Sequence, residues 1–258
     1  ACQWSMTVGT QVNFRRNIMS KLYNMGCSFA YGNCAKRRNV LCDEHRSPGT
    51  YIAEYLNIHE VNLARNGFSI DGVLRRVYTT DFEKDSIVLI GVPPSGRFQV
   101  VSFDEQVYNK ERGSKASIFG RNSEAENCIR HAFTKGPIIK GDYFHTLKYT
   151  AVPGVDDINE TASYNVLFSV LKIQERLKKL GLKYYIYNSM NYGYNPKNKE
   201  INKIKDQIDW SNYYKPEWSM FDLIKSNVEY ELADGDQHPN HLAYEKWSID
   251  FIDWIENK

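Results

Sequence analysis

A serine flanked by two glycines, Ser28, is the residue of this chain best suited to act as a nucleophile. An apolar run, Leu22 to Met25, is followed by Gly26, Ser28 and Gly32. This order is typical of a short buried strand that breaks into a tight turn and presents the serine at its carboxyl end. Ligands of open α/β sheets bind just outside that end. A serine placed there becomes a nucleophile when a histidine accepts its proton.

The histidine that could accept this proton is His238, near the other end of the chain. It lies in a polar turn, residues 234–240, directly before an amphipathic helix. Asp236 can reach the imidazole, because side chains at i and i+2 of an extended segment point to the same side. Asp234 competes for the same role, since the intervening glycine lets the turn fold back. The sequence predicts a triad of Ser28, His238 and Asp236.

The two segments resemble the first and last sequence blocks of the SGNH (GDSL-type) hydrolases. Gly26 to Gly32 has the glycine, variable residue, serine and downstream glycine of the first block. Asp236 to Pro239 is similar to the last block, with Asp-x-His in place of Asp-x-x-His, and Cys27 replaces the usual aspartate before the serine. The resemblance implies a flavodoxin-like α/β fold, a three-layer α/β/α sandwich around a central parallel sheet. It also implies an ester hydrolase that needs no metal and no organic cofactor.

The resemblance extends to the groups that stabilise the oxyanion. In the family, the serine N–H, a glycine N–H after the second strand and an asparagine after the third strand donate to it. Gly67 matches the glycine, with a plain turn glycine as the alternative interpretation. The asparagine is absent, as in a divergent subgroup common among phage and environmental sequences. Ser95 or its backbone could supply this donor, and Arg97 could hold an acidic group or brace the loop.

Strands alternate with helices along the chain, which predicts a parallel sheet covered on both faces. The predicted strands are 22–25, 61–64, 85–92 and 182–187. The predicted helices are 48–57, 70–78, 162–180 and 241–256. Asn188, at the end of the fourth predicted strand, faces the same rim as Ser28 and is a candidate for substrate or loop support. The segment 191–215 is predicted to be loop-like, with its lysines solvated or, alternatively, binding an anionic polymer.

Two segments fall outside this alternation. Residues 1–18 lack the charged-then-apolar order of a secretory signal and are predicted to be an extension outside the fold, of native or foreign origin. Residues 19–258 are predicted to form a single domain with an insertion around 99–160 that forms helices or a lid near the active site, because a structureless loop of that length is uncommon. His131 and His145, within the insertion, lack a neighbouring turn with a carboxylate and are interpreted as surface or packing residues.

Composition limits the classes of partner. The 258 residues are 42% hydrophobic and 25% charged, which is ordinary for a globular protein of one large or two small domains. The net charge of +2 gives no support to nucleic-acid binding without a basic stripe. No apolar run approaches the roughly 18 residues of a membrane span. We expect a cytoplasmic or virion-associated protein that binds neither nucleic acid nor membrane.

The five cysteines are odd in number and irregularly spaced, so reduced thiols are expected rather than a disulfide framework. Cys34, Cys42 and His45 could ligate zinc with Cys27, but the paired Cys-x-x-Cys spacing is missing. We therefore predict no metal site. A dinucleotide site is also disfavoured, because residues 26–32 lack the Gly-x-Gly-x-x-Gly spacing.

The predicted reaction is hydrolysis of an ester through an acyl-enzyme. Ser28 attacks the carbonyl, His238 transfers the proton to the leaving alcohol, and Asp236 orients the imidazole. By analogy at the level of the fold, the substrate is a short acyl group such as acetyl on a carbohydrate or another small ester. Two alternatives stay open. One is an O-acyltransferase on the same fold, and the other is a catalytically degenerate binding protein, which the missing asparagine favours.

Overall fold

A computed structural model of the chain describes residues 20–32, 46–95, 97–101, 144–148, 158–190, 196–226 and 238–258. For residues 97–101 and 144–148 it describes the strand and not the side chains. Several predictions concern residues outside the described ones. These are residues 1–18, most of the insertion, both aspartates of the polar turn, and His131, Cys34, Cys42 and His45.

Five parallel strands form the central sheet, and a two-stranded antiparallel ribbon lies apart from it. The described strands are β1 (Lys21–Met25), β2 (His59–Asn62), β3 (Ile87–Val92), β4 (Arg97–Val101), β5 (Phe144–Lys148), β6 (Lys183–Asn188) and β7 (Tyr213–Ser219). The order in the sheet is β2-β1-β3-β6-β7, and β4 pairs with β5 in the ribbon. The predicted parallel sheet is confirmed.

The strand order reverses between β1 and β3, since the chain runs from β1 outward to β2 and then returns past β1 to β3. At such a switch point the loops that leave the two strands diverge and open a crevice at the carboxyl edge of the sheet. Ser28 follows β1 and Ser95 follows β3, so each serine lies in one of the two loops that leave the sheet at the switch point. The topology thus positions the predicted nucleophile where open α/β sheets bind ligands.

Helices cover both faces of the sheet. The described helices are α1 (Ser28–Tyr31), α2 (Pro48–Tyr55), α3 (Ile70–Thr79), α4 (Ile158–Lys179), α5 (Lys199–Lys205), α6 (Met220–Ser226) and α7 (His241–Glu256), with a 3-10 turn at Trp210–Asn212. Helices α2 and α7 pack together, as do α3 and α4. Tyr187 of β6 packs on Trp247 and Phe251 of α7. The side chain of its neighbour Ile186 points to the opposite face of the sheet. No described helix has the length and apolar character to cross a membrane.

Strand β7 and helix α5 begin within the segment predicted to be loop-like. Only the first two residues and the last residue of the run from Tyr213 to Ser219 are buried. The sequence of this run therefore needs no apolar periodicity and shows none. Pro216 is tolerated since β7 is the edge strand of the sheet. Helix α5 begins after Asn198, whose side chain accepts hydrogen bonds from the backbone of Glu200 and Ile201. Local sequence alone gives little sign of either element.

Candidate active site

The turn that carries Ser28 depends on a close approach between the ends of β1 and β3. A Cβ atom on Gly26 would lie 2.6 Å from the carbonyl oxygen of Gly91 and 2.6 Å from the Cβ of Ala30. Only glycine fits between these atoms. The chain therefore turns sharply after Met25, and α1 begins at Ser28 with Cys27 as its N-cap residue. This short helix holds the serine at the carboxyl end of β1.

Ser28 and His238 are brought together by the fold although they lie at opposite ends of the sequence. The Nε2 atom of His238 is 2.7 Å from the Oγ atom of Ser28. The histidine directly precedes Pro239 and Asn240, and the Asn240 side chain accepts a hydrogen bond from the backbone of Ala243 at the start of α7. The cap of α7 thus fixes the segment that carries the imidazole. In the tautomer with the proton on Nδ1, Nε2 accepts the serine hydroxyl proton.

Two backbone N–H groups near the serine have no acceptor among the described residues. Ser28 occupies the first position of α1, where N–H groups have no intrahelical partner. Gly67 lies in a turn closed by the hydrogen bond from Phe68 N to Arg65 O, and its φ of 78° suits glycine. The backbone N–H of Arg65 donates to the carbonyl of Gly26 over 3.0 Å, which holds this turn beside the serine. Both groups are thus available to a ligand.

The other predicted site residues have different surroundings. Ser95 is buried, with 8% of its surface exposed, directly beyond β3. Arg97 begins β4, opposite Lys148 of β5. Asn188 is buried and braces the sheet, because its Nδ2 donates to the carbonyl oxygens of Pro216 at 2.9 Å and Trp218 at 3.4 Å. Its Oδ1 accepts from the hydroxyl of Tyr213. These bonds hold the end of β6 to β7.

A buried polar cluster behind α1 was missed by sequence reasoning. This cluster, the Asn24 cluster, comprises Asn24, Ser47, Thr50 and Glu60. Asn24 is fully buried in β1, and its Nδ2 lies 2.7 Å from Ala30 O, 3.0 Å from Ser47 Oγ and 2.9 Å from Glu60 Oε1. Glu60 also accepts from the hydroxyls of Ser47 and Thr50. The cluster ties the end of α1 to β2 and to the start of α2. The sequence offers one signal for this cluster, an asparagine inside the apolar run of β1.

Cys27, next to the nucleophile, is completely buried. It lies near Tyr187, whose pKa is raised well above its usual range first by burial and then by the charge that Cys27 and Glu60 would carry. A thiol enclosed in this way is not exposed to a substrate. Within the described residues, no group of three or more metal-ligating side chains lies together.

An aromatic wall flanks the imidazole. The ring of Phe29 lies 5.2 Å from that of His238, and Phe221 meets Phe29 edge to face at 6.4 Å. Phe221 is placed by a hydrogen bond from its backbone N–H to the carbonyl of Ser189, just beyond β6. Lys225 lies over the Phe221 ring. The imidazole therefore packs beside an aromatic pair whose members come from two elements, α1 and α6.

No protein-family model and no curated protein matches this chain. Among solved structures, the chain is similar to a carbohydrate esterase whose active site displays divergent catalytic and non-catalytic binding functions. The two share 13% sequence identity with a TM-score of 0.47, and the match covers 93% of this chain and 69% of the esterase. It is also similar to the acetyl xylan esterase Est2A from the rumen bacterium Butyrivibrio proteoclasticus, with 13% identity, a TM-score of 0.46, and coverage of 93% and 64%. At this identity, the likeness concerns the course of the backbone.

Proposed function

We propose that the protein is a serine-dependent ester hydrolase of the SGNH type. The observation that carries the proposal is the 2.7 Å contact between Ser28 Oγ and His238 Nε2 at the switch point of the sheet. A hydroxyl bonded to an imidazole nitrogen is the arrangement that nucleophilic catalysis requires. Its place at the carboxyl edge of a parallel sheet leaves room for a substrate.

In the proposed reaction, Ser28 Oγ forms a bond to the ester carbonyl carbon while its proton moves to His238 Nε2. The carbonyl oxygen becomes an oxyanion, which the free N–H groups of Ser28 and Gly67 stabilise; one such donor is worth roughly 3 kcal/mol. The imidazolium then protonates the leaving alcohol as the ester bond breaks. Water attacks the acyl-enzyme by the same route, which releases the acid and restores the serine.

The proposed substrate carries a short acyl group on a carbohydrate or another small ester. Ser28 retains only 7% of its surface exposed, so the acyl group must be small enough to reach it beside Phe29. Trp218, half exposed at 50%, has its carbonyl bonded to Asn188 and therefore lies at the same edge of the sheet. An exposed indole offers an apolar face for stacking on a sugar ring.

A screen of chromogenic esters tests the proposal. The purified protein should hydrolyse p-nitrophenyl acetate faster than the octanoate, release acetate from acetylated oligosaccharides, and react with a fluorophosphonate at Ser28. Faster acyl transfer in the presence of acceptor sugars than hydrolysis in their absence would instead identify an acyltransferase. Failure of both hydrolysis and fluorophosphonate labelling would identify a degenerate binding protein.

The orienting carboxylate is predicted to be Asp236 rather than Asp234. Such a carboxylate holds the imidazole in the correct tautomer and stabilises the imidazolium, so Asp236→Asn should lower kcat by about 10⁴-fold. Asp234→Asn should lower it about tenfold or less, as expected for a charge near the start of a helix. Turnover at saturating p-nitrophenyl acetate compares the two variants. A severe loss in Asp234→Asn alone would move the role to that residue and require a tighter turn.

A further inference from the structure

Asn66 lies in the turn that runs beside the residues directly before the nucleophile. The last pair between β1 and β2 is Asn24 with Asn62. Hydrogen bonds of the parallel type continue beyond it, from Leu63 N to Asn24 O at 2.8 Å and from Arg65 N to Gly26 O at 3.0 Å. The ladder ends there, because Ser28 begins α1, and Asn66 follows Arg65 directly. Adjacent chains in such a ladder are about 4.8 Å apart, so the turn that carries Asn66 lies close to the segment that leads into the serine.

The amide of Asn66 is unused within the described part of the chain. Its Oδ1 is enclosed and has no hydrogen-bond partner, whereas its Nδ2 is not enclosed and makes no hydrogen bond. A buried acceptor without a partner is unfavourable. The amino group keeps two donors for a ligand. Asn62, four residues earlier, is the opposite case, because its amide donates to Tyr31 O at 3.3 Å and accepts from Ala64 N at 3.1 Å.

The turn that carries Asn66 is held in place on both sides. The hydrogen bonds from Arg65 N to Gly26 O and from Phe68 N to Arg65 O fix its ends, and Gly67 adopts the left-handed conformation in between. A donor that stabilises an oxyanion must be positioned before the charge develops. The turn meets this requirement, since it is anchored to the carbonyl that directly precedes Cys27 and Ser28.

We propose that Asn66 Nδ2 donates the side-chain hydrogen bond to the oxyanion, in the role for which the third strand provides no asparagine. The inference rests on the proposed ester hydrolysis. The donor set is then the N–H of Ser28, the N–H of Gly67 and the amide of Asn66, with the last two contributed by one turn. Ser95, the candidate from the sequence, is the rival donor and offers a single hydroxyl proton.

The test compares Asn66→Ala with Ser95→Ala and with Asn62→Ala as the matched control. For Asn66→Ala, kcat on p-nitrophenyl acetate should fall by about 10²- to 10³-fold with KM changed only a few-fold, as for loss of an oxyanion donor. The inhibition constant of a trifluoromethyl ketone, which forms an oxyanion on the serine, should rise by a similar factor. The thermal midpoint should stay near that of the wild type. Asn62→Ala should lower the midpoint and leave the kcat of the folded protein within a few-fold.

The outcomes separate the inference from the proposed function. If Asn66→Ala keeps kcat and the ketone inhibition constant within threefold while Ser28→Ala is inactive, the hydrolase proposal stands and the role of Asn66 is wrong. A loss confined to Ser95→Ala would assign the donor to the β3 loop. If Ser28→Ala is as active as the wild type, the hydrolase proposal fails. A fall in the midpoint of Asn66→Ala with unchanged ketone affinity would also overturn the inference, since it would show a structural role.

Discussion

The variant Ser28→Ala is expected to lose ester hydrolysis by about 10⁴-fold or more while its thermal midpoint stays nearly unchanged. The removed oxygen is the atom that forms the bond to the carbonyl carbon, and its described side-chain partner is His238 alone. The helix that carries it is held through the carbonyl of Ala30, which the substitution does not touch. Measurement of kcat/KM with p-nitrophenyl acetate and of thermal unfolding checks both parts.

Cys27 provides the matched control, because it adjoins Ser28 and carries the intrinsically better nucleophile, a thiol. Its complete burial predicts that Cys27→Ala keeps activity within about tenfold, with some loss of stability from the removed sulfur. Thiol-blocking reagents should leave turnover largely intact, and a fluorophosphonate should stop it. Inactivation by the thiol reagent alone, or more than a tenth of wild-type activity in Ser28→Ala, would reassign the nucleophile.

The variant His238→Ala should be impaired to a degree similar to Ser28→Ala, and the double variant should be no worse than either single one. The two side chains act as a unit, since the serine attacks only while the imidazole accepts its proton. Losses within such a unit do not multiply. Comparison of kcat for the two single variants and the double variant measures this coupling.

His241 is the control for the histidine substitution. It is exposed at the start of α7, and its backbone carbonyl accepts a hydrogen bond from the hydroxyl of Tyr51. His241→Ala should therefore keep kcat within about twofold, as is usual for surface substitutions.

A double variant of Ser28 and His238 whose loss of kcat equals the product of the single losses would show that the two residues act independently.

Sequence patterns predicted the sheet and the paired residues of the site for different physical reasons. Continuous apolar runs mark strands buried on both faces, so β1, β3 and β6 were predictable. Ser28 and His238 were found because nucleophilic catalysis restricts the residue types and places them at turns. Strand β7 was missed, since an edge strand with few buried residues has no such run.

The partners of Asn24 in its cluster could not be predicted for another reason. Its partners come from β1, β2 and the cap of α2, and their proximity exists only after the sheet has formed. The use of Asn66 is likewise invisible in the sequence, where an asparagine before a glycine is typical of any turn. That its amide lacks a partner among the described residues became evident only from the surrounding atoms.

The Asn24 cluster also couples the stability of α1 to that of α2. A helix of four residues has no stability of its own, so α1 persists only through contacts made elsewhere. One of these is the bond from Asn24 Nδ2 to Ala30 O, and the same amide faces Ser47 at the start of α2 and Glu60 on β2. We therefore expect local unfolding of α2 to release α1 as well, so that the backbone amides of the two helices exchange as one cooperative unit. Heat or denaturant that detaches α2 would disable the serine while the central sheet is still intact.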